Sequence, residues 1–301
     1  MKRESWLELN LRGMQAAFSS FARSAGAQLL EMDGVIAAVN GAVGERSVFN
    51  SVVYVDPDAF AAVRDELAAA YADAGCSWTV WVPEQDTGTI RMLEAAGHTL
   101  DAQPRAMGIE LDGVSEPDLS ELDWTDQGAV EEMGSLNDAA YGYEPGSWLK
   151  GMGHEPEGLH VYMARVDGKP AATVSSRDVG RDCTIWNVAT AEWARGRGLS
   201  TALMQKAIFD ATKRGCPTST LQATKLGAPI YRRCGLRGLR GAGDVGVQAL
   251  GAGRSGASRA AGLSAGGARS GRKRVEQLGR RTIEVVEGAL QSIPGEVATL
   301  G

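Results

Sequence analysis

The hydrophobic and polar positions follow two different periods along the chain, and together they predict a mixed α/β protein. Apolar residues at intervals of three and four predict amphipathic helices. The helical segments are 6–27, 57–74, 87–96, 130–140, 199–214 and 228–233. Short runs rich in β-branched and aromatic residues predict strands. The strand segments are 34–39, 51–55, 77–82, 107–111, 159–166, 171–176, 183–190 and 218–223.

A basic, glycine-containing loop separates the strand at 183–190 from the helix at 199–214. It contains Arg195, Gly196, Arg197 and Gly198. Glycine lets the backbone approach an anion and adopt positive φ, and the first turn of the following helix carries about half a positive charge. Because arginine adds charge-assisted hydrogen bonds, the loop is a candidate phosphate site. A surface turn that glycine and arginine keep flexible is the alternative.

The order of helices and strands in the first half of the chain recurs in the second half. Glycine and cysteine precede a strand at Gly75-Cys76 and again at Gly215-Cys216, and glycine ends the helix that follows each strand. This order predicts an internal duplication, with a chance match of generic α/β units as the alternative. In the first half Asp56-Pro57-Asp58 replaces the basic loop. Acidic residues there would repel a phosphate, so we assign ligand binding to the second half.

The last part of the chain has a different composition, rich in glycine, alanine and arginine. No Phe, Trp or Tyr follows Tyr231. Such a segment buries too little apolar surface to offset its ordering entropy, so we expect disorder there. A final stretch, 275–293, has helical spacing and could form one amphipathic helix. Residues 237–281 carry ten Lys or Arg and two acidic residues, but without interleaved aromatic residues we expect no nucleic-acid partner.

The overall composition indicates which broad class of protein this is. The chain has 301 residues, 44% of them hydrophobic and 23% charged, with a formal net charge of −6, as is ordinary for a globular protein. It contains no apolar run of about 20 residues that would span a membrane and no signal-peptide core. The four cysteines are far apart and are typical of buried thiols in a cytoplasmic protein. The three histidines lack ligand spacing, so we expect no metal site.

Two stretches of the second half resemble the GCN5-related N-acetyltransferases. The acyl-coenzyme A loop of that family has the pattern Arg/Gln-x-x-Gly-x-Gly/Ala, which falls on Arg195, Gly198 and Ser200. A later Pro-x-Tyr-x-x-x-Gly run places its tyrosine at Tyr231. The resemblance covers roughly residues 119–236. It implies the mixed-sheet fold of the acyl-CoA N-acyltransferases, in two tandem copies followed by a low-complexity tail.

The resemblance also implies domain limits, a coenzyme and roles for individual residues. Residues 1–112 would be a degenerate copy, 113–240 the acetyltransferase domain and 241–301 the tail. The coenzyme would be acetyl-CoA, and Tyr231 would protonate the departing thiolate. The residues implied to bind the coenzyme are Val188, Ala189, Thr190, Arg195, Gly196, Arg197, Gly198, Leu199, Ser200 and Thr201.

Several positions depart from the family pattern. Ser200 replaces a glycine or alanine, Leu236 replaces a phenylalanine, and no closing β-hairpin is evident after it. Asp182 and Glu192 flank the central strand as candidate general bases, and we choose neither. The resulting hypothesis is an N-acetyltransferase that acts on an amine of a small molecule or a protein. The alternative is a non-catalytic acyl-CoA-binding or regulatory protein that keeps the fold.

Overall fold

The helices and strands predicted from hydrophobic spacing are present in the computed structural model, which describes residues 5–239 and 247–252. The helices are α1 (Trp6–Ser24), α2 (Pro57–Asp73), α3 (Thr87–Ala95), α4 (Val130–Tyr141), α5 (Ser147–Met152), α6 (Leu199–Lys213) and α7 (Ala228–Arg233). The strands are β1 (Gln28–Met32), β2 (Val35–Val39), β3 (Ser51–Tyr54), β4 (Trp78–Pro83), β5 (Thr99–Ala102), β6 (Arg105–Glu110), β7 (Trp124–Thr125), β8 (His160–Val166), β9 (Lys169–Val179), β10 (Asp182–Thr190), β11 (Thr218–Ala223), β12 (Arg237–Gly238) and β13 (Val247–Ala252). The predicted mixed α/β fold is confirmed.

Local sequence signals set the helix boundaries. The Asp56 side chain accepts the backbone N–H of Asp58 at 2.9 Å and caps α2, whose first position is Pro57. Helix α4 ends at Gly142, which has φ 67°, a conformation that glycine adopts at little cost. The long apolar stripe of helix α1 made it predictable from the sequence. Strands β1, β5 and β7 and helix α5 were not predicted, because each is short.

The strands form two mixed sheets. The order in the first sheet is β1-β2-β3-β4-β13-β5, and the order in the second is β12-β6-β11-β10-β9-β8-β7. In each sheet two adjacent strands run parallel, β3 with β4 and β10 with β11. Helices α2 and α6 connect these parallel pairs, as a crossover requires.

Each sheet contains a strand from the other half of the chain. Strand β6 lies between β11 and β12 in the second sheet, and β13 lies between β4 and β5 in the first. Both inserted strands run antiparallel to their neighbours. The boundaries 1–112, 113–240 and 241–301 stay predictions, but neither sheet is built from one of these segments alone.

The predicted disorder of the tail is wrong for residues 247–252. These residues form β13, which pairs with β4 along its whole length and with β5 on its other edge. Val247 and Leu250 are fully buried. Composition misled the prediction because the preference of a segment for a strand depends on packing against its neighbours, here β4 and β5, and that pairing is not visible locally. The rest of the tail, including the helix predicted over 275–293, lies outside the described residues.

Helix α1 belongs to the first half of the chain but packs on both sheets. The Phe18 ring lies 6.0 Å from Trp81 of β4 and 5.5 Å from Trp186 of β10, measured between ring centroids. Gly13 faces β10 so closely that a Cβ there would lie 2.9 Å from Thr184 Oγ1. The hydrophobic core around the second sheet therefore includes residues of the first half.

Two further expectations concern cysteines and membranes. Cys76, Cys183 and Cys216 are buried free thiols, and Cys234 is a half-buried one. None of the described helices combines the length and apolarity needed to cross a bilayer.

Candidate functional site

The parallel strands β10 and β11 separate part of the way along their length. Their pairing runs from Asp182↔Thr218 to Ile185↔Leu221 and stops there, although β10 continues to Thr190. On its other side β10 stays paired with β9, with a register shift between Trp186 and Ala189. A β-bulge bends a strand and increases its local twist. The bulge therefore opens a gap between the two parallel strands.

Asn187 holds the bulge in place. Its backbone has φ 51°, in the left-handed region that asparagine tolerates better than most residues. The buried side chain accepts the Trp148 indole N–H at 3.2 Å and donates to Ser175 Oγ at 3.1 Å. The Ser175 hydroxyl in turn donates to the carbonyl of Trp186 at 3.1 Å. This network fixes the bend at the point where the strands separate.

The three strand residues implied to bind the coenzyme lie along this gap. Ala189 and Thr190 pair with Thr173 and Ala172 of β9, and Val188 lies within the bulged segment. No described strand pairs with the opposite edge of β10 at these positions. An unpaired strand edge offers N–H and C=O groups to an extended ligand, which can bind as an added strand.

The loop between β10 and α6 ends in a helix start without a capping side chain. Gly196 and Gly198 have φ 80° and 77°, and a Cβ at either position would meet nothing within 4 Å. The glycines are therefore needed for backbone conformation, not for space. Ala202 makes the first helical bond, to the carbonyl of Gly198 at 3.0 Å. The N–H groups of Leu199, Ser200 and Thr201 therefore remain available for an anion.

The side chains around the start of α6 are either exposed and basic or buried and hydroxylated. Arg195 and Arg197 are exposed, and neither forms an ion pair with a residue that the structure describes. Ser200 is buried, and its hydroxyl forms a short hydrogen bond with that of Thr190. The hydroxyl that departs from the family pattern thus ties the end of β10 to the start of α6. Among the residues that the structure describes, the loop has three N–H donors and two arginines without an ion-pair partner, which is the chemistry that a pyrophosphate requires.

Tyr231 lies on α7, the helix that follows β11 along the chain. It is 7% exposed, and its ring lies over Gly227, where a Cβ would be 2.8 Å from the ring and 3.0 Å from the hydroxyl. Burial raises the pKa of Tyr231, and the nearby phenol of Tyr141 raises it further. The phenol therefore keeps its proton at neutral pH.

Neither candidate base occupies the gap. Asp182 is 1% exposed and accepts hydrogen bonds from Thr218 and Thr220 at 2.7 and 2.6 Å. It begins β10, eight residues and about 26 Å before Thr190 at the strand rise. Its contacts are those of a structural carboxylate. Glu192 lies exposed in the turn after β10. No described group of three or more His, Cys, Asp or Glu side chains is arranged to hold a metal ion.

Comparison with known families decides what kind of domain contains this gap. Residues 118–236 match the model of the acetyltransferase (GNAT) family. Those residues are a GNAT acetyltransferase domain. The matched range includes β8 to β11, the loop and Tyr231, so the resemblance proposed from Arg195, Gly198 and Tyr231 is confirmed at the level of the domain.

Solved structures extend the likeness beyond the GNAT domain. A GCN5-related N-acetyltransferase from Kribbella flavida is 18% identical, with a TM-score of 0.58, and the match covers 83% of this chain and 97% of that one. One from Sphaerobacter thermophilus is 17% identical, with a TM-score of 0.53 and coverages of 83% and 94%. At these identities the likeness shows a shared fold alone. No curated protein matches the sequence.

The GNAT domain also carries a cluster that the sequence analysis missed, here called the aromatic wall: Tyr141, Tyr143 and Trp148. The ring planes of Tyr141 and Tyr143 lie within 8° and 19° of the Trp148 plane, each with centroids 5.9 Å away. Tyr141 is 44% exposed. Three aromatic residues within eight positions, interrupted by Gly142, Pro145 and Gly146, were the available signal.

Proposed function

We propose that the chain is an acetyl-CoA-dependent N-acetyltransferase that transfers an acetyl group to an amine of a small molecule or a protein. The gap between β10 and β11 carries this proposal. It opens between an unpaired strand edge and a helix start with free N–H donors, and Tyr231 lies on α7, the helix that follows the neighbouring strand along the chain. An extended donor with a phosphate at one end and a reactive group at the other suits this arrangement.

Different residues of the chain would bind the donor, orient it and transfer the protons. Arg195, Arg197 and the first N–H groups of α6 bind the pyrophosphate. The free edge at 188–190 holds the extended arm and orients the reactive carbonyl. Acetyl-CoA supplies the thioester. The amine nitrogen forms a bond to the carbonyl carbon while the carbon–sulfur bond breaks, and Tyr231 gives its proton to the departing sulfur. A water chain takes up the proton that the amine loses and returns one to Tyr231, so that the sulfur leaves as a thiol and the phenol is restored.

We also propose that the chain is a tandem of two such copies, of which the first is degenerate. The order β3-α2-β4-α3-β5-β6 is repeated as β10-α6-β11-α7-β12-β13. The last strand of each series is inserted at the same place in the opposite sheet, beside the second strand of the parallel pair. Equivalent insertions in both directions are expected of a duplicated unit and not of two unrelated α/β segments.

Two measurements on the purified full chain test the proposed activity. Calorimetry with acetyl-CoA tests binding, and a thiol assay over a broad amine panel tests release of coenzyme A. Binding accompanied by release for at least one amine supports the transferase. Binding without release over the whole panel would favour the non-catalytic acyl-CoA-binding protein. Absence of acetyl-CoA binding would contradict both the transferase and the non-catalytic binding protein.

A further inference from the structure

The aromatic wall stands beside the gap. Trp148 donates its indole N–H to Asn187, the residue that holds the bulge open. Tyr141 ends α4, a helix that packs against β10. The wall thus lies beside the bulged segment of β10, where the gap opens.

Contacts with Asp138 and Phe49 hold the aromatic wall in place before any ligand binds. The Asp138 carboxylate accepts the backbone N–H groups of Gly146 at 2.7 Å and Trp148 at 3.0 Å, which closes the loop between α4 and α5. Phe49 meets the Trp148 ring edge to face at 5.2 Å. Rings that are already immobilised lose little entropy when a ligand binds to them.

The support for Trp148 comes from the first half of the chain. Phe49 lies flat on α5, where a Cβ at Gly151 would be 2.2 Å from its ring. Asn40 donates to the carbonyl of Lys150 at 3.2 Å, and Asn50 holds the turn by accepting the backbone N–H of Asn40 at 2.7 Å. The half of the chain without a phosphate loop therefore seats the helix that carries Trp148.

Charge around the wall favours a flat apolar group over a polycation. The Arg46 guanidinium lies 3.9 Å from the centre of the Tyr143 ring, so one end of the wall already has a cation. Asp138 is buried and uses both oxygens on backbone donors. Tyr141 keeps an exposed ring that is nearly parallel to Trp148.

We propose that Tyr141, backed by Tyr143 and Trp148, binds an aromatic ring carried by the acceptor amine. This proposal rests on the proposed function, because it places the acceptor beside the acyl donor. Aromatic pairs prefer offset or edge-to-face arrangements, and the preference corresponds to roughly a two- to tenfold gain in affinity over a saturated ring of similar size.

The test compares two amines that differ only in the ring, 2-phenylethylamine and 2-cyclohexylethylamine, with spermidine as a polycation. Coenzyme A release by the full chain is expected to show a kcat/KM three- to tenfold higher for the phenyl amine. Tyr141→Leu is expected to abolish the preference by raising KM for the phenyl amine more than KM for the cyclohexyl amine. Tyr141→Phe should retain it, and Leu100→Ala, which removes an exposed apolar side chain from the first sheet, should change nothing.

Equal kcat/KM for the two ring amines, or a preference for spermidine, would overturn the proposal. A second measurement does not depend on turnover: saturation-transfer NMR of each amine with the chain bound to coenzyme A. Stronger binding of the phenyl amine that is lost in Tyr141→Leu supports the wall even if no acetyl transfer occurs, and equal binding overturns it. Failure of the proposed function is seen separately, as absent acetyl-CoA binding or absent coenzyme A release.

Discussion

The junction between β3 and α2 and the junction between β10 and α6 occupy equivalent places in the two sheets. Each follows the first strand of a parallel pair and precedes the crossover helix. Two residues, Val55 and Asp56, make the first connection, whereas residues 191–198 make the second. The chemistry of the two junctions differs as much as their length.

The first junction is closed by side chains. Tyr54, the last residue of β3, donates its hydroxyl to Asp86 at 2.6 Å and stacks on Phe60 with ring centroids 4.9 Å apart. Asp86 also accepts the N–H of Thr89 at 3.0 Å and so caps α3. The end of β3 is therefore tied to the loop after β4. In the second half β10 bends away at the corresponding place.

The N-terminus of the crossover helix is used differently in the two halves: it is capped in α2 and left open in α6. Asp56 satisfies a donor of α2 and neutralises part of its dipole, which stabilises a helix by about 0.5–2 kcal/mol. Gly198 gives α6 no such cap. The second junction thus forgoes local stability and keeps donors free for a ligand, as expected where a site is built on a rigid scaffold.

The largest expected effect is on turnover. Tyr231→Phe should lower kcat by about 10²-fold or somewhat less, because the leaving sulfur loses its proton donor while water substitutes in part. Affinity for acetyl-CoA should stay nearly unchanged. Steady-state thiol release and calorimetry measure the two quantities.

Tyr71→Phe is the matched control in the first half. Its buried hydroxyl donates to the carbonyl of Ala38 at 2.9 Å, so this change should cost about 1 kcal/mol of stability and leave kcat unaltered. A Tyr231→Phe protein as fast as the parent would make Tyr231 a structural residue like Tyr71.

The next effect is on coenzyme affinity. Replacing Arg195 and Arg197 by alanine should weaken acetyl-CoA binding by about tenfold for each charged hydrogen bond lost, the lower end for such bonds because both side chains are exposed. Calorimetry measures the change. Arg91→Ala, an exposed arginine on α3, is the control and should bind like the parent. Unchanged affinity in the double variant would mean that this loop does not bind the pyrophosphate.

A smaller effect on coenzyme affinity is expected when a substitution at Gly198 makes the second junction resemble the first. Asparagine and aspartate both tolerate the left-handed conformation of Gly198 and both can cap α6. Only aspartate adds a negative charge, which should make Gly198→Asp bind acetyl-CoA about three- to fivefold more weakly than Gly198→Asn. Titrations at low and high salt measure this, since screening should shrink the difference. Equal affinities at low salt would place the phosphates away from the helix start.

The two junctions also show what the sequence could predict. The amphipathic spacing of α6, the glycines before it and the cap of α2 are local signals, and all three led to the observed elements. Strand β13 could not be found that way, because its fit depends on β4 and β5, more than a hundred residues earlier. The aromatic wall was missed for a similar reason, since Phe49 and Asn187 position Trp148 from distant parts of the chain.

The smallest expected effect tests the closure of the first junction. Partial burial opposes ionisation of Asp86, but hydrogen bonds from Tyr54 and Thr89 lower its pKa below the ordinary value of 3.8. A carboxyl whose pKa is lower in the folded state contributes stability above its unfolded pKa and loses it as the pH falls through its folded pKa. Asp86→Asn should therefore lower stability by about 1 kcal/mol at pH 7, and the gap to the parent should shrink below about pH 4.

Thermal unfolding of both proteins between pH 3 and pH 7 measures this gap, with Asp73→Asn at the exposed end of α2 as the control. Coenzyme affinity should be the same in all three proteins, because Asp86 lies at the closed junction. A pH-independent gap would mean that Asp86 acts through packing and not through its charge. Altered acetyl-CoA binding in Asp86→Asn would contradict the assignment of the ligand to the second half alone.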